Sequence, residues 1–272
     1  MTSEASTRSQ TRLTGRYVRS TPGSQSLERG LRLLRTFRLG ASVLTNAELA
    51  SRSGLPRPTV SRLARSLVDA GFLAYDHAEQ GYRLTAVCLS LALSYRAAQR
   101  PLDLALPLMR SLAEGRRINV GLAVLDQTEM VYLDSVRMSR LGIFRHLVPG
   151  SRIPAALTSL GRAYMASMPE VERRLLLKRL AAEHPKGWPQ VHRQIRDAMR
   201  DVREHGYCAA QWQLGSVAIA TPIRECAGRL YALNISFPVR SDSIEGMVAE
   251  HGGLLMALAA DIETSWQANL SA

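Results

Sequence analysis

The chain has 272 residues, 46% of them hydrophobic, which is enough to bury the core of one large domain or of two modest ones. Its three cysteines, Cys88, Cys208 and Cys226, are far apart and form no CxxC pair, which argues against a disulfide framework and a zinc site and favours a reducing compartment. The most apolar stretch, residues 252–262, is too short to span a bilayer, and the polar N-terminus lacks the apolar segment of a secretory signal, so we expect a cytoplasmic protein.

Positive charge is concentrated in the N-terminal third of the chain. The net charge is +12; residues 1–85 hold 13 arginines, no lysine and six acids, which gives them +7 and leaves +5 for the other 187 residues. A basic domain attracts polyanions through its long-range field, so nucleic acid is one class of partner to consider. A solubilising basic surface would explain the same charge, and charge alone does not decide between the two.

Residues 1–23 are rich in Ser, Thr and Arg and have little apolar surface to bury, which predicts a disordered basic tail. Such a tail is either a solvated segment or a basic arm that contacts DNA, and the sequence leaves both open. From residue 24 onward, apolar residues recur at helical spacing and predict a first helix, which Gly40 can end. The residues of this apolar stripe are Leu27, Leu31, Leu34 and Phe37.

Two further helices separated by a tight turn are predicted next. Thr45 and Glu48 have the spacing of a capping box and mark the start of a short helix. Gly54 can adopt the positive φ that the turn requires. Pro58 suits the first turn of a helix, where a missing N–H does no harm, so we expect the third helix at about 57–70.

A β-hairpin is predicted after the third helix, which Gly71 ends. Apolar and aromatic residues alternate on both sides of a polar segment, residues 77–81, as expected for two short strands. The alternating residues are Leu73, Tyr75, Tyr82 and Leu84. Three helices followed by such a hairpin, within residues 24–85, predict a winged helix-turn-helix domain.

The two faces of the second and third helices fit a helix-turn-helix that binds DNA. Small or apolar residues lock the two helices together: Leu49, Ala50, Leu55, Val60 and Leu63. The opposite face of the third helix carries hydroxyl and guanidinium groups and has no acid before Asp69. The residues predicted to enter the major groove are Arg57, Thr59, Ser61 and Arg62. Those predicted to bind phosphate are Arg65 and the wing residue Arg83. The alternative is a helical hairpin that serves only for packing.

A linker helix and a second domain are predicted after the hairpin. Thr85 can cap the linker, residues 86–100, which Pro101 ends. Residues 101–272 contain strands in hairpin-like groups with helices between them, which predicts an α+β domain with a mainly antiparallel sheet. The expected strands are 118–125, 130–136, 142–148, 206–211, 216–223 and 229–236. The expected helices are 102–114, 157–167, 169–182, 190–205 and 243–266.

Seven segments, taken in order and spacing, resemble the IclR family of bacterial transcriptional regulators across residues 24–266. They are residues 26–31, 54–63, 150–154, 158–163, 206–207, 219–223 and 233–236. The resemblance implies a winged helix-turn-helix, a linker helix and a C-terminal GAF-like domain that binds a small organic acid. It also implies a homodimer formed through the DNA-binding half, often paired into a tetramer.

The same resemblance implies an effector site. The family's contacts fall on Ser159, Leu160, Ala210, Ala218, Asn234 and Ser236. The free N–H groups at the start of the helix near residue 159 would favour a carboxylate. Family members that bind small oxoacids have an acid near Ala210 and a thiol near Ala218, so the two alanines here favour a larger and more apolar acid, such as an aromatic one. The alternatives are that Asn234 and Ser236 only satisfy backbone groups or water, and that ligand binding has been lost.

Three classes of function remain in competition at this point. The first is a ligand-responsive repressor or activator of a catabolic operon. The second is a ligand-independent architectural or constitutive regulator whose C-terminal domain only oligomerises. The third, an enzyme fused to a DNA-binding domain, is disfavoured because the sequence has no P-loop, HExxH, GxSxG or GxGxxG motif. No cofactor, metal or membrane partner is expected.

Overall fold

The computed structural model describes residues 23–138, 147–239 and 244–269 and divides the chain into two compact units, Met1–Ala98 and Gln99–Ala272. Nearly all of the predicted basic tail lies outside the described residues. Within those residues the first unit contains α1 (Gln25–Leu34), α2 (Asn46–Ser53), α3 (Arg57–Asp69), β1 (Leu73–Asp76), β2 (Gly81–Leu84) and α4 (Ala86–Ala97).

The turn between α2 and α3 forms as its residues predict. The Thr45 N–H donates to the Glu48 carboxylate at 2.8 Å and the Glu48 N–H donates to the Thr45 hydroxyl at 3.3 Å, which completes the capping box. Gly54 ends α2 with a φ of 68°. A small core joins α1, α2 and α3 and consists of Leu33, Leu44, Leu49, Leu55, Val60 and Leu63.

The first helix departs from its predicted length and orientation. It ends at Leu34, well before Gly40, and its buried side chain is Leu33. Leu27 and Leu31 are 62% and 51% exposed. Helical periodicity identifies an apolar stripe but not the partner it faces: Phe37 packs against the core of the first unit, whereas Leu27 and Leu31 are not covered by the described residues.

The hairpin predicted as the wing pairs Leu73 with Leu84 and Asp76 with Gly81. The preceding loop adds an unpredicted bridge, in which Leu44 and Tyr82 exchange two backbone hydrogen bonds of 2.9 and 2.8 Å. Gly81 permits this approach, because a Cβ there would lie 2.9 Å from the Leu44 carbonyl oxygen.

The second unit is built on a six-stranded antiparallel sheet with the strand order β5-β4-β3-β8-β7-β6. The strands are β3 (Asn119–Asp126), β4 (Glu129–Val136), β5 (Arg152–Pro154), β6 (Cys208–Gln213), β7 (Ser216–Arg224) and β8 (Leu230–Pro238). The helices are α5 (Arg100–Arg116), α6 (Ser159–Ser167), α7 (Glu170–Glu183), α8 (Trp188–His205) and α9 (Ile244–Ala268). The α+β fold class is confirmed. Most of the predicted strand 142–148 lies outside the described residues, and the short β5 was not predicted.

The two faces of this sheet have different roles. One face packs against α5 and α9 through large apolar side chains such as Leu122, Ile235 and Leu255. The other face is covered by α6 and carries small residues, among them Ala123, Ala220 and Ala232. Small residues leave space between the sheet and α6, and this space holds the cavity described below. No helix in the described ranges combines the length and apolarity needed to cross a bilayer.

Candidate DNA-reading surface and effector cavity

The outward face of α3 presents most of the side chains that sequence predicts for DNA. Arg57, Ser61, Arg62 and Arg65 are exposed and Thr59 is half-buried. The sixth predicted residue, Arg83, is exposed on β2 of the wing and not on α3. None of the four arginines forms an ion pair within the described part of the chain, so their guanidinium groups are available to phosphate or base edges.

Ser61 is less free than its neighbours on α3. Its hydroxyl accepts a hydrogen bond from the Asn46 side chain at 2.7 Å and donates one to the Arg57 carbonyl oxygen at 3.2 Å. One acceptor lone pair is then left for another group. Asn46 was not among the predicted site residues, because its contact with Ser61 joins two helices and depends on the fold.

A cavity lies between the start of α6 and the sheet. Its volume is about 380 Å³ when the solvent-filled space at its mouth is included. Five of the six residues predicted for the effector line it: Ser159, Leu160, Ala210, Ala218 and Asn234. The walls also include residues that were not predicted: Tyr132, Leu147, Ile153, Thr158, Trp212 and Ser216.

The start of α6 gives this cavity one polar end. The Thr158 hydroxyl caps the helix by accepting from the Gly161 N–H at 3.4 Å. The N–H groups of Ser159 and Leu160 have no acceptor among the described residues. Two unpaired N–H groups and the positive end of a helix dipole favour a carboxylate at this position. Gly161 allows the helix to lie here, because a Cβ would approach the Ala155 carbonyl oxygen to 2.1 Å.

Asn234 gives the cavity a second polar group, on the sheet side. The residue is only 3% exposed, and its Oδ1 has no hydrogen-bond partner. It packs over Gly121 beside Tyr132: a Cβ at Gly121 would lie 2.7 Å from the Asn234 Oδ1 and 2.4 Å from a ring carbon of Tyr132. A buried amide oxygen without a partner is costly, so its place on a cavity wall points to a ligand or a water molecule.

Ser236 is not brought to the cavity wall. It is fully buried, and its hydroxyl accepts hydrogen bonds from the Asn119 side chain at 3.3 Å and from Arg137 at 3.5 Å. It shares a sheet face with Asn234, as predicted from their spacing, but its polar atom is already used within the protein.

Two buried side chains, Arg162 and Cys208, hold α6 in place through hydrogen bonds. The Arg162 guanidinium donates to the Ala156 carbonyl oxygen at 3.0 Å and to the Gln194 side chain at 2.7 Å, and burial lowers its pKa. The Cys208 thiol donates to the Ser159 carbonyl oxygen at 3.5 Å, and burial raises its pKa to about 12. A thiol with such a pKa stays protonated and unreactive at neutral pH.

Two family models together match most of this chain. The model described as IclR helix-turn-helix domain matches residues 26–77, and the one described as Bacterial transcriptional regulator IclR C-terminal matches residues 100–264. The chain belongs to the IclR family. It is therefore a DNA-binding transcriptional regulator and not an enzyme, as the sequence predicted.

Individual relatives are similar to this chain over between 76% and 94% of its length. An IclR family transcriptional regulator from Brucella abortus is 31% identical, with 94% of this chain and 97% of that chain covered and a TM-score of 0.81. The p-hydroxybenzoate hydroxylase transcriptional activator of Acinetobacter baylyi is 30% identical over 224 residues, with 76% and 79% covered. An IclR homologue from Microbacterium hydrocarbonoxydans, solved with 4-hydroxybenzoate, is 26% identical, with 90% and 100% covered and a TM-score of 0.67.

Proposed function

We propose that this IclR-family chain regulates a catabolic operon in response to a small organic acid, most suitably an aromatic one, bound between α6 and the sheet. DNA binding is assigned to residues 24–85, the linker to 86–100, and effector binding and oligomerisation to 101–272. Because its target is operator DNA, the protein works in the cytoplasm.

One observation carries the effector assignment. The two unpaired N–H groups of Ser159 and Leu160 and the unpaired amide oxygen of Asn234 belong to the walls of the same cavity. Among the described residues, the walls otherwise contain aromatic and aliphatic side chains, such as Trp212 and Ile153, and no acidic or basic residue. A planar apolar body with a carboxylate fits these surroundings, since burial of the body is favourable and the helix start neutralises the charge.

The relatives support the same class of effector. The Acinetobacter baylyi protein is named for an enzyme that acts on an aromatic acid, and the Microbacterium hydrocarbonoxydans protein was solved with such an acid bound. Ala210 and Ala218 lie on the cavity wall of the present chain and leave room beside the sheet.

On DNA, we assign base contacts to Arg57, Thr59, Ser61 and Arg62, and phosphate contacts to Arg65 and Arg83. The partner is double-stranded operator DNA. We infer a homodimer, because two recognition helices related by a two-fold axis read two half-sites of an operator. Dimers can pair further into a tetramer.

The effector assignment is tested by calorimetry and thermal melting of the full chain with benzoate, hydroxybenzoates and short aliphatic acids. An acid at about 100 times its Kd is expected to raise Tm by about 5 °C. Ala218→Phe fills the cavity and is expected to abolish this shift, whereas Leu214→Ser, at a side chain that is 99% exposed, is the matched control and is expected to keep it. If no acid binds, the ligand-independent regulator whose second unit only oligomerises is favoured instead.

A further inference from the structure

A buried cation, Arg162, lies beside the start of α6, although it is not among the residues that line the cavity. Its side chain folds back along the helix, so that its Nε donates at 3.0 Å to the carbonyl oxygen of Ala156, which precedes the helix. Its Nη2 donates to the Gln194 side chain at 2.7 Å, and the residue is 7% exposed. The guanidinium is therefore held next to the first turn of α6.

Both hydrogen-bond partners of the Arg162 guanidinium are neutral. No carboxylate within the described residues forms an ion pair with it. Burial lowers the pKa of Arg162, but a guanidinium stays protonated in proteins, and a buried charge without a counter-ion is costly. The cost is larger at this place, because the positive end of the helix dipole disfavours a cation. An anion bound at the same helix start would offset both costs.

The site assigned to the effector carboxylate lies at this same end of α6. Ala156 and Ser159 are three residues apart, which spans at most about 11 Å even in an extended chain. The Cys208 thiol lies between the two groups: burial raises its pKa, the charge of Arg162 opposes this rise, and its Sγ is 3.5 Å from the Ser159 carbonyl oxygen. We therefore take the guanidinium to be about 10 Å from a carboxylate on the Ser159 N–H.

We propose that Arg162 is a specificity-determining residue of the effector site, whose charge favours an acid over a neutral molecule of the same shape without contacting the ligand. The effector carboxylate is then the counter-ion that the described residues do not provide. The attraction acts through the protein interior, where salt screens it weakly. This inference rests on the proposed function, because it concerns the charge of the ligand at the same helix start.

The test compares acids with their neutral amides by calorimetry on the full chain. The pairs are benzoate with benzamide and 4-hydroxybenzoate with 4-hydroxybenzamide, and each amide is measured by displacement of its acid. Arg162→Gln is expected to lower the preference for the acid, which is the ratio of the two Kd values, about tenfold. This is the effect of a unit charge about 10 Å away at an effective dielectric constant of about 20. Arg162→Lys retains the charge and is expected to keep most of the preference.

Gln194→Glu tests the same role without removing a buried side chain. Gln194 is exposed and already accepts a hydrogen bond from Arg162, so a glutamate of the same shape would pair with the guanidinium and neutralise it. The preference for the acid is expected to fall at least about threefold. Gln267→Glu adds the same charge at an exposed position of α9, the helix on the opposite face of the sheet. It is the matched control and is expected to leave the preference unchanged.

The outcomes separate this inference from the proposed function. An unchanged preference in the Gln194→Glu protein, with its fold checked by thermal melting, would overturn the role of Arg162 while leaving the acid site intact. Equal weakening of acid and amide in Arg162→Gln would also overturn it, because a purely structural role would affect both ligands alike. Absence of binding by either acid to the unmodified chain would contradict the proposed function itself.

Discussion

Two neighbouring side chains on α3, Ser61 and Arg62, differ in how freely they can meet a base edge. Ser61 is tied by hydrogen bonds to Asn46 and to the backbone of α3. Arg62 is exposed and has no ion pair within the described residues. A free guanidinium can pair with two acceptors of guanine, whereas the tied hydroxyl retains only an acceptor, which suits the amino group of adenine or cytosine.

Arg62→Ala is expected to weaken binding to a specific operator by about 1–3 kcal/mol and to lower the ratio of specific to non-specific affinity. Arg83→Ala, on the wing, is the matched comparison; it should weaken both kinds of binding alike and reduce the salt slope by about one. Fluorescence anisotropy at several salt concentrations measures the affinity ratio and the salt slope of each variant. The specific site is an operator selected from random duplexes. An unchanged ratio for Arg62→Ala would remove Arg62 from base readout.

At the scale of single residues, the types of side chain on the functional surfaces could be predicted from the sequence, but the residues that they contact could not. The outward hydroxyl and guanidinium groups of α3 follow from helical periodicity alone. The contact of Asn46 with Ser61 spans 15 positions of sequence and that of Arg137 with Ser236 spans 99. Contacts of this kind depend on how separate elements pack. The sequence therefore predicted Ser236 as an effector contact, whereas in the fold its hydroxyl is hydrogen-bonded to Asn119 and Arg137.

At the scale of secondary-structure elements, the stability of α2 depends on the negative charge of Glu48 in its first turn. Hydrogen bonds from the Thr45 N–H and then from the Thr45 hydroxyl lower the pKa of Glu48 below 4.5. Because the pKa is lower in the folded state, the ionised carboxylate stabilises α2 fully above pH 4.5. This contribution is lost as the pH falls through the folded-state pKa.

The backbone of α2 is therefore expected to exchange faster in Glu48→Gln than in the unmodified chain at pH 7, and the difference should shrink as the pH falls through the lowered pKa of Glu48. Hydrogen exchange of a peptide that covers residues 44–54, compared between the two proteins at each pH, measures this directly. Glu79→Gln, at an exposed glutamate in the wing turn, is the control. A difference that persists unchanged into acid would show that the ionised carboxylate is not what stabilises the turn.

Elements with a long, regular sequence pattern were predicted well. Elements that form only because they pair with another strand were not. The helices α2 and α3 have caps and breakers that sequence displays, such as Thr45 and Gly54. The strand β5 has three residues, too few for an alternating pattern, and exists because it pairs with β4. The bridge of Leu44 to Tyr82 has the same origin.

At the scale of the whole molecule, exposed apolar side chains of α1 and α4 are not covered by any of the described residues. No residue of α4 is buried, and Val87, Leu89, Leu91 and Leu93 are between 41% and 60% exposed. A helix that is apolar on all sides is normally buried. In the homodimer proposed above, a second copy of this chain would cover these side chains. On this proposal, the effector would alter DNA affinity by favouring one dimer geometry over another, and α4, which follows the DNA-binding residues in the chain, is the segment proposed to transmit the change.

Leu91→Glu is expected to raise the dimer dissociation constant about 100-fold, because a carboxylate would be buried against apolar side chains of the partner copy. Operator affinity should fall with it, since both half-sites must be bound together for tight binding. Val171→Glu, at an exposed side chain on α7, is the matched control. Sedimentation velocity over a range of concentrations measures both. If Leu91→Glu leaves the dimer intact and Val171→Glu dissociates it, self-association runs through the second unit, and the effector must then act on the recognition helices by a route that does not use the surface of α4.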